Sequence, residues 1–328
     1  MRQPLILLSA LFLLCLFSFA FAFSVGSITF SLPQINTALF SNHNSIAQTV
    51  IWELRAPRAY IAFVTGGLLS LAGVLMQVLL RNPLADPYIL GVSGGASVAA
   101  LLAMSAGLAG GWVSGSAFGG ALLSILLVFG LAHGKGHWNP TRLLLTGVVI
   151  AAGWGAAINF ILSISPDEPL RGMLFWLMGD ISNISPDISG LIALVLGVLI
   201  SFSLARPLNI LARGELQAGA LGVAVKPLRI SLFLLASALT AFAVTQAGSV
   251  GFVGLIVPHM IRLIIGSDHR VLIPAAVLLG GSLLVISDTI ARVIIAPQQL
   301  PVGVITAFLG VPFFIFLLNR SMAGKQYD

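Results

Sequence analysis

Residues 54–87 read LRAPRAYIAFVTGGLLSLAGVLMQVLLRNPLADP. Two arginines, Arg55 and Arg58, stand at the threshold of an apolar run that continues to residue 80. A helix needs roughly 20 apolar residues to cross the hydrocarbon of a bilayer, and 58–80 supplies them. The run then meets Asn82-Pro83 and Asp86-Pro87, dipeptides that stop a helix and turn the chain into its next segment. One crossing closed by one tight turn is the unit from which this fold is built.

The unit recurs. Of 328 residues, 58% are hydrophobic and 8% charged, with a mean hydropathy of +1.06. Ordinary soluble domains carry about 25% charged residues, so this chain cannot clothe a water-facing surface. Apolar runs broken by Gly, Pro and charge predict spans at 4–25, 58–80, 88–107, 114–133, 142–163, 188–205, 229–248, 252–266, 271–287 and 302–319. The expected fold class is an all-α polytopic membrane protein, about ten transmembrane helices in a single domain, 1–328. The first run carries Ala20-Phe21-Ala22, which resembles a signal-peptide cleavage site. It is longer than the roughly 7–15 residues of a signal h-region and is read as a retained span. Only the connections 26–54, 164–187 and 206–228 are long, so no soluble domain fits between spans.

Composition also excludes function classes. The net charge of +6 comes from 16 Lys and Arg spread singly along the chain. Nucleic-acid binding needs a clustered basic face, and none is present. The one cysteine, Cys15, excludes a disulfide framework and a cysteine-based metal site. No catalytic residue, metal-ligand set or cofactor motif is assigned.

Lys and Arg in short loops set the orientation. With the N-terminus inside, Arg2, Arg81, Lys135, Arg142, Arg206, Arg213, Lys226, Arg229, Arg262, Arg270, Arg320 and Lys325 are cytoplasmic. Arg55, Arg58, Arg171 and Arg292 fall outside, twelve against four. Both termini are then cytoplasmic. Arg55 and Arg58 run against the trend. They are either interface anchors snorkelling to headgroups, with Glu53 as counter-ion, or a docking patch for an acidic partner. If 55–58 opens a helix, their i,i+3 spacing puts both guanidinium groups on one face.

Other segments carry two readings each. GVSGGAS at 91–97 is a small-residue cluster that lets helix backbones approach closely, with Gly91, Gly94 and Gly95 at the contact. It also fits the G-x-S-G pattern of a serine protease, with Ser93 as nucleophile and His259 in a distant span. A phosphate-cradling loop is excluded, because no GxxxxGK[ST] occurs and Gly134-Lys135-Gly136 does not replace it. The inner loop 206–228 predicts two short helices broken by Gly214 and Gly222. It either rests on the bilayer as an amphipathic segment or grips a cytoplasmic partner through Glu215, Leu211, Ala218 and Leu221. Pro258-His259 predicts a kinked helix; its histidine is either a ligand or proton relay or, lacking carboxylate partners, a hydrogen-bonded structural residue, which is the favoured reading. Asp288 and Arg292, at i,i+4, predict an intrahelical ion pair. The spans hold almost no ionisable groups, whereas ion-coupled carriers place carboxylates near the bilayer midplane. The energy for any transport should therefore come from elsewhere.

Taken together these segments resemble the FecCD-type family of ABC transporter permeases, importers of iron chelates, haem and cobalamin. The resemblance covers nearly the whole chain. It rests on RAPR (55–58), GGLLSLAGVLMQ (66–77), RNPLADPYILGVSGGA (81–96), RPLNILARGELQAGALGV (206–223), GFVGLIVPHMIRL, DHRVLIPAA (268–276), DTIAR (288–292) and LPVGVITAFLGVPFFIFLL (300–318). It implies a type II ABC importer permease: a homodimer or close heterodimer in the cell inner membrane, with the pathway along the dimer interface. Two separate ATPase subunits would bind from the cytoplasm, and a periplasmic or lipid-anchored binding protein would deliver substrate outside. By resemblance, Arg55, Arg58 and Arg292 meet acidic residues of the binding protein, and Leu211, Gly214, Glu215, Leu221 and Gly222 couple to the ATPase. The chain would then have no enzyme chemistry and bind no ATP. A self-sufficient secondary carrier is the alternative transporter.

Overall fold

The computed structural model describes residues 2–26, 28, 30–40, 46–132, 140–182 and 187–324. Lys135, Lys325 and the Gly134-Lys135-Gly136 triplet lie outside the described residues. Those described form helices joined by turns, with no strand among them. In chain order they are α1 (Arg2–Ser24), α2 (Leu32–Phe40), α3 (Ile46–Thr49), α4 (Ala56–Leu79), α5 (Val92–Ser105) and α6 (Gly111–Ala132). Then come α7 (Pro140–Ile164), α8 (Asp167–Leu177), α9 (Ile188–Ser203), α10 (Ala205–Leu211) and α11 (Glu215–Ala220). The chain closes with α12 (Val225–Ala247), α13 (Val253–Ile265), α14 (His269–Val293) and α15 (Val302–Gly324).

Each of the ten apolar runs falls on a helix, but they are not ten equal crossings. Among the described residues six helices are long and apolar enough to cross a membrane, and the count reaches seven if the α9–α10 pair, bent by 62°, is taken as one span. Helices α5 and α13 are shorter, at 14 and 13 residues. The reason is local. The runs at 88–107 and 252–266 begin with apolar residues that the chain uses for turns. Gly91 is left-handed at φ 70° and Phe252 likewise at φ 70°, so α5 and α13 start only after them. Conversely, the connection 26–54 is not a simple loop. It contains α2 and α3, and a widened π-helical turn at Val50–Arg55 runs straight into α4. The connection 164–187 contains α8.

Helix α4 is the central post, buried along nearly its whole length between α9, α12, α13 and α14. Lipid tails are as apolar as leucine, so no hydrophobic effect drives helices together in a bilayer; close van der Waals approach must do it. The small residues of 66–73 supply that approach. A Cβ on Gly66 would sit 2.2 Å from the carbonyl oxygen of Gly280 in α14, and one on Gly73 would sit 1.9 Å from that of Gly254 in α13. The same device joins α5 to α6, where a Cβ on Gly95 would lie 2.5 Å from the Gly120 carbonyl. Helix α1 packs along α14.

The RNPLADP turn is specified residue by residue. Arg81 turns the chain at φ 47°, and the Asn82 side chain accepts the Leu84 N–H at 2.9 Å. Asp86 caps the single turn Pro87–Leu90 by accepting the Tyr88 N–H at 2.7 Å. Burial pushes the Asp86 carboxyl up to about 6, opposed by that hydrogen bond. The Tyr88 hydroxyl in turn accepts the Val250 N–H at 3.0 Å, stitching this turn to the one between α12 and α13. Pro83 is exposed and Pro87 is buried against Gly254.

Two outcomes follow. Gly73→Ala forces α4 and α13 apart and should cost ~1–3 kcal/mol, against a change within about 0.5 kcal/mol for Gly153→Ala, whose added Cβ meets nothing; thermal unfolding in detergent reads both. The raised Asp86 carboxyl means the folded chain holds its proton to higher pH than the unfolded chain. Stability should therefore fall as pH rises from about 4 to about 6, and a pH series on Asp86→Asn should lack that decline.

Candidate functional site

Polar side chains gather at the two ends of the α4–α14 pair. At the arginine end, Arg58 donates from Nε to both carboxylate oxygens of Asp288, at 2.8 and 3.0 Å, and from Nη1 to Gln299 at 2.7 Å. Arg292 Nε lies 3.2 Å from the same carboxylate, and its Nη2 donates to Thr289 at 3.1 Å. The i,i+4 pair expected within α14 is present, but the closer partner of Asp288 comes from α4. Asp288 is 1% exposed and the Arg58 side chain 11%, so the pair sits in a low-dielectric setting where breaking it is expensive.

Arg55 and Arg58 do not share a face. Arg55 is buried; it donates to the carbonyl oxygens of Phe23 and Ile28 and lies over the Phe30 ring at 5.2 Å. The i,i+3 argument assumes 3.6 residues per turn, and the widened turn at Val50–Arg55 breaks that register. Glu53 is exposed and forms no ion pair among the described residues; Asp288 is the counter-ion. Of the three arginines, Arg58 is slightly the most exposed, its side chain at 11% against 8% for Arg292, and it reaches the exposed Gln299.

At the loop end, 206–228 holds the two short helices. Gly214, at φ 128°, lets the chain leave α10 and begin α11, and Gly222, at φ 78°, ends the segment. Leu211 and Ala218, expected as contacts for a partner, are buried within the chain. Glu215 is also engaged: its carboxylate pairs with Arg229 of α12 and lies 3.5 Å from Nη2 of Arg81. Beside the exposed Gln217, α11 and its C-cap present two leucines outward. Leu216 is 92% exposed and Leu221 68%, flanked by exposed Arg213 and Lys226. Sequence reading found Leu221 and missed Leu216. A large apolar residue directly beside Glu215, in a helix whose other apolar residues are only alanines, was the available signal. No spacing could reveal Gln299, Arg81 or Asn209, whose partners lie far along the chain, nor Arg229, which pairs with Glu215 14 positions before it.

Between the two ends, Gly91 accepts the Ser124 hydroxyl at 2.8 Å, and Trp154 Nε1 donates to Ser124 at 3.0 Å. Gly94 packs on Trp154 and Gly95 on Gly120, so GVSGGAS is a helix contact. Among the described residues no hydrogen bond joins Ser93 to His259, and the buried His259 Nδ1 lacks any partner, contrary to the expected hydrogen-bonded histidine. Nor do the described residues contain a group of three or more His, Cys, Asp or Glu able to hold a metal ion. A cavity of about 560 Å³ opens beside α15, lined by Met178, Ser249, Val304, Ala307, Phe308 and Pro312 among others, with no charged side chain among the described residues of its wall.

Comparison with known proteins gives one answer. The model of the FecCD transport family matches residues 13–320. The hemin transport system permease HmuU of Yersinia pestis is 38% identical, over 99% of this chain and 98% of its own. The cobalamin import permease BtuC of Halobacterium salinarum is 40% identical, over 83% of this chain and 74% of its own. A solved structure described as an inward-facing metal-chelate type ABC transporter superposes with a TM-score of 0.85 at 30% identity, over 95% of this chain and 98% of that one. With the all-helical bundle and its apolar spans, these matches place the chain in the FecCD transport family.

Proposed function

We propose that this chain is the permease subunit of a binding-protein-dependent ABC importer that moves an iron chelate, haem or cobalamin across the inner membrane. The observation that carries this reading is the superposition, over nearly the full chain, on a metal-chelate type ABC transporter. The relatives' names, hemin and cobalamin transport, support the substrate class. A separate ATPase supplies the energy, the permease works as a homodimer or close heterodimer, and ATP binding drives alternating access. The uncharged cavity wall suits a pathway that large polar chelates traverse without being held.

Each end has a partner in this reading. Leu216 and Leu221 project from the loop end as apolar knobs, the kind of anchor that fills a pocket on a partner. The flanking Arg213 and Lys226 fit the positive-inside side of the membrane. At the opposite end, Arg58 and Arg292 share one carboxylate while Arg55 binds backbone carbonyls, which leaves a local excess of positive charge. That excess favours an acidic surface on the binding protein, with Arg58 as the accessible member.

Leu216→Glu with Leu221→Glu should lower capture of the ATPase subunits roughly tenfold in co-purification, with the fold intact. Arg58→Gln should weaken binding-protein affinity by about tenfold in a titration on nanodiscs; unchanged affinity with normal ATPase assembly would sink the docking role.

A further inference from the structure

Pro258 lies inside α13. Proline has no N–H, and its ring crowds the carbonyl four residues earlier, so that carbonyl loses its helical partner. Here it is the carbonyl of Gly254. In hydrocarbon no water replaces a missing donor, and a neighbouring helix must supply one. Gln77 of α4, 3% exposed, does so: its Nε2 donates to the Leu255 carbonyl at 3.1 Å and to the Gly254 carbonyl at 3.4 Å. The Oε1 of the same amide has no partner among the described residues, so the amide serves through its donor.

The surroundings are shaped to the same carbonyl. Gly73 precedes Gln77 by four residues and shares its face of α4, and its missing side chain is what lets the Gly254 carbonyl approach. On another side Gly254 is closed in by Pro87, whose Cδ would lie 2.8 Å from an added Cβ. The chain leading into this turn belongs to the cavity beside α15. Ser249 lines that cavity, and its carbonyl oxygen would lie 3.3 Å from a Cβ on Gly303, another wall residue. Phe252 packs on Gly310 of α15, where an added Cβ would lie 2.6 Å from its ring. Residues 249–255 therefore form a wedge with α4 on one side and the cavity wall on the other.

We propose that Gln77 is a positioning residue for the cavity wall: it replaces the backbone donor that Pro258 withholds, and so fixes residues 249–255 against α4 and sets the cavity on its Ser249 side. This role is separate from the transport reading and holds whatever molecule occupies the cavity. With a donor of its own at position 258, α13 would satisfy Gly254 internally and would lean on α4 by van der Waals contact alone. Because donor and acceptor stand on different helices, the place of the wall depends on α4.

The test is a double-mutant cycle on the full-length chain in nanodiscs. Cys15→Ala and Ser249→Cys are present in every variant, so that one thiol reports on the cavity, and N-ethylmaleimide is the probe. Gln77→Leu keeps most of the volume and removes the donor; it should raise the labelling rate about threefold or more. Pro258→Ala returns an N–H to the Gly254 carbonyl, so in that background Gln77→Leu should change the rate by less than about 1.5-fold. An equal change in both backgrounds overturns the proposal, because Gln77 would then act by packing. So does an unchanged rate for Gln77→Leu beside the native proline. If Gln77→Leu alone does not fold, recovery of folded protein on adding Pro258→Ala supports the proposal. Failure of that pair, while Pro258→Ala alone folds, overturns it. Pro258→Ala alone should fold; if it does not, the ring and not the missing donor shapes the turn, and the proposal falls.

Discussion

Where Gly66 of α4 meets Gly280 of α14, nothing beyond backbone fits between the helices. That constraint organises the rest of the bundle. In water a helix pair can be held by large apolar side chains withdrawn from solvent. In lipid that force is absent between helices, and short-range contact must replace it. Gly66, Gly73 and Gly95 each mark such a contact, with α14, α13 and α6 respectively. Because α4 makes two of the three, it becomes the post around which the other helices are set. Leucines elsewhere on the bundle, such as Leu126 and Leu199, are free to face outward, since exposure to lipid carries no penalty.

The apolar runs were legible because the bilayer allows few alternatives. Every backbone polar group must be satisfied internally, so a long apolar run becomes a helix. Ten runs were therefore readable as ten helices. Their lengths were not, because Gly91 and Phe252 spend apolar residues on left-handed turns that hydropathy does not distinguish from helix. The RNPLADP turn was readable for the opposite reason. Asn82 and Asp86 bind backbone two residues ahead, a local event that spacing encodes.

Long-range polar partners were not readable. Arg58 and Asp288 are separated by 230 positions, and only the folded arrangement of α4 against α14 brings them together. The pairing of Arg55 with Arg58 on one face failed because a single widened turn changes the register, and nothing in VIWELR announces it. At the loop end the segment was legible, and Leu221 is exposed as expected, but its other faces were not. Leu211 and Ala218 face inward, whereas Leu216 faces out, a distinction that depends on how α10 and α11 lie against α12 and α14. Family resemblance located these sites; geometry alone says which atoms are free to act.

The Arg58–Asp288 pair has a consequence for traffic at that end of the molecule. A carboxylate arriving from solvent finds Arg58 already committed, with both Asp288 oxygens on its Nε. The newcomer must therefore compete, and whatever share of the guanidinium it wins is taken from the clasp between α4 and α14. Asp288 is not stranded by the exchange, because Arg292 stands 3.2 Å away to receive it. The arrangement behaves as a latch with a spare catch: a visitor that opens it does so without leaving a naked charge inside the protein.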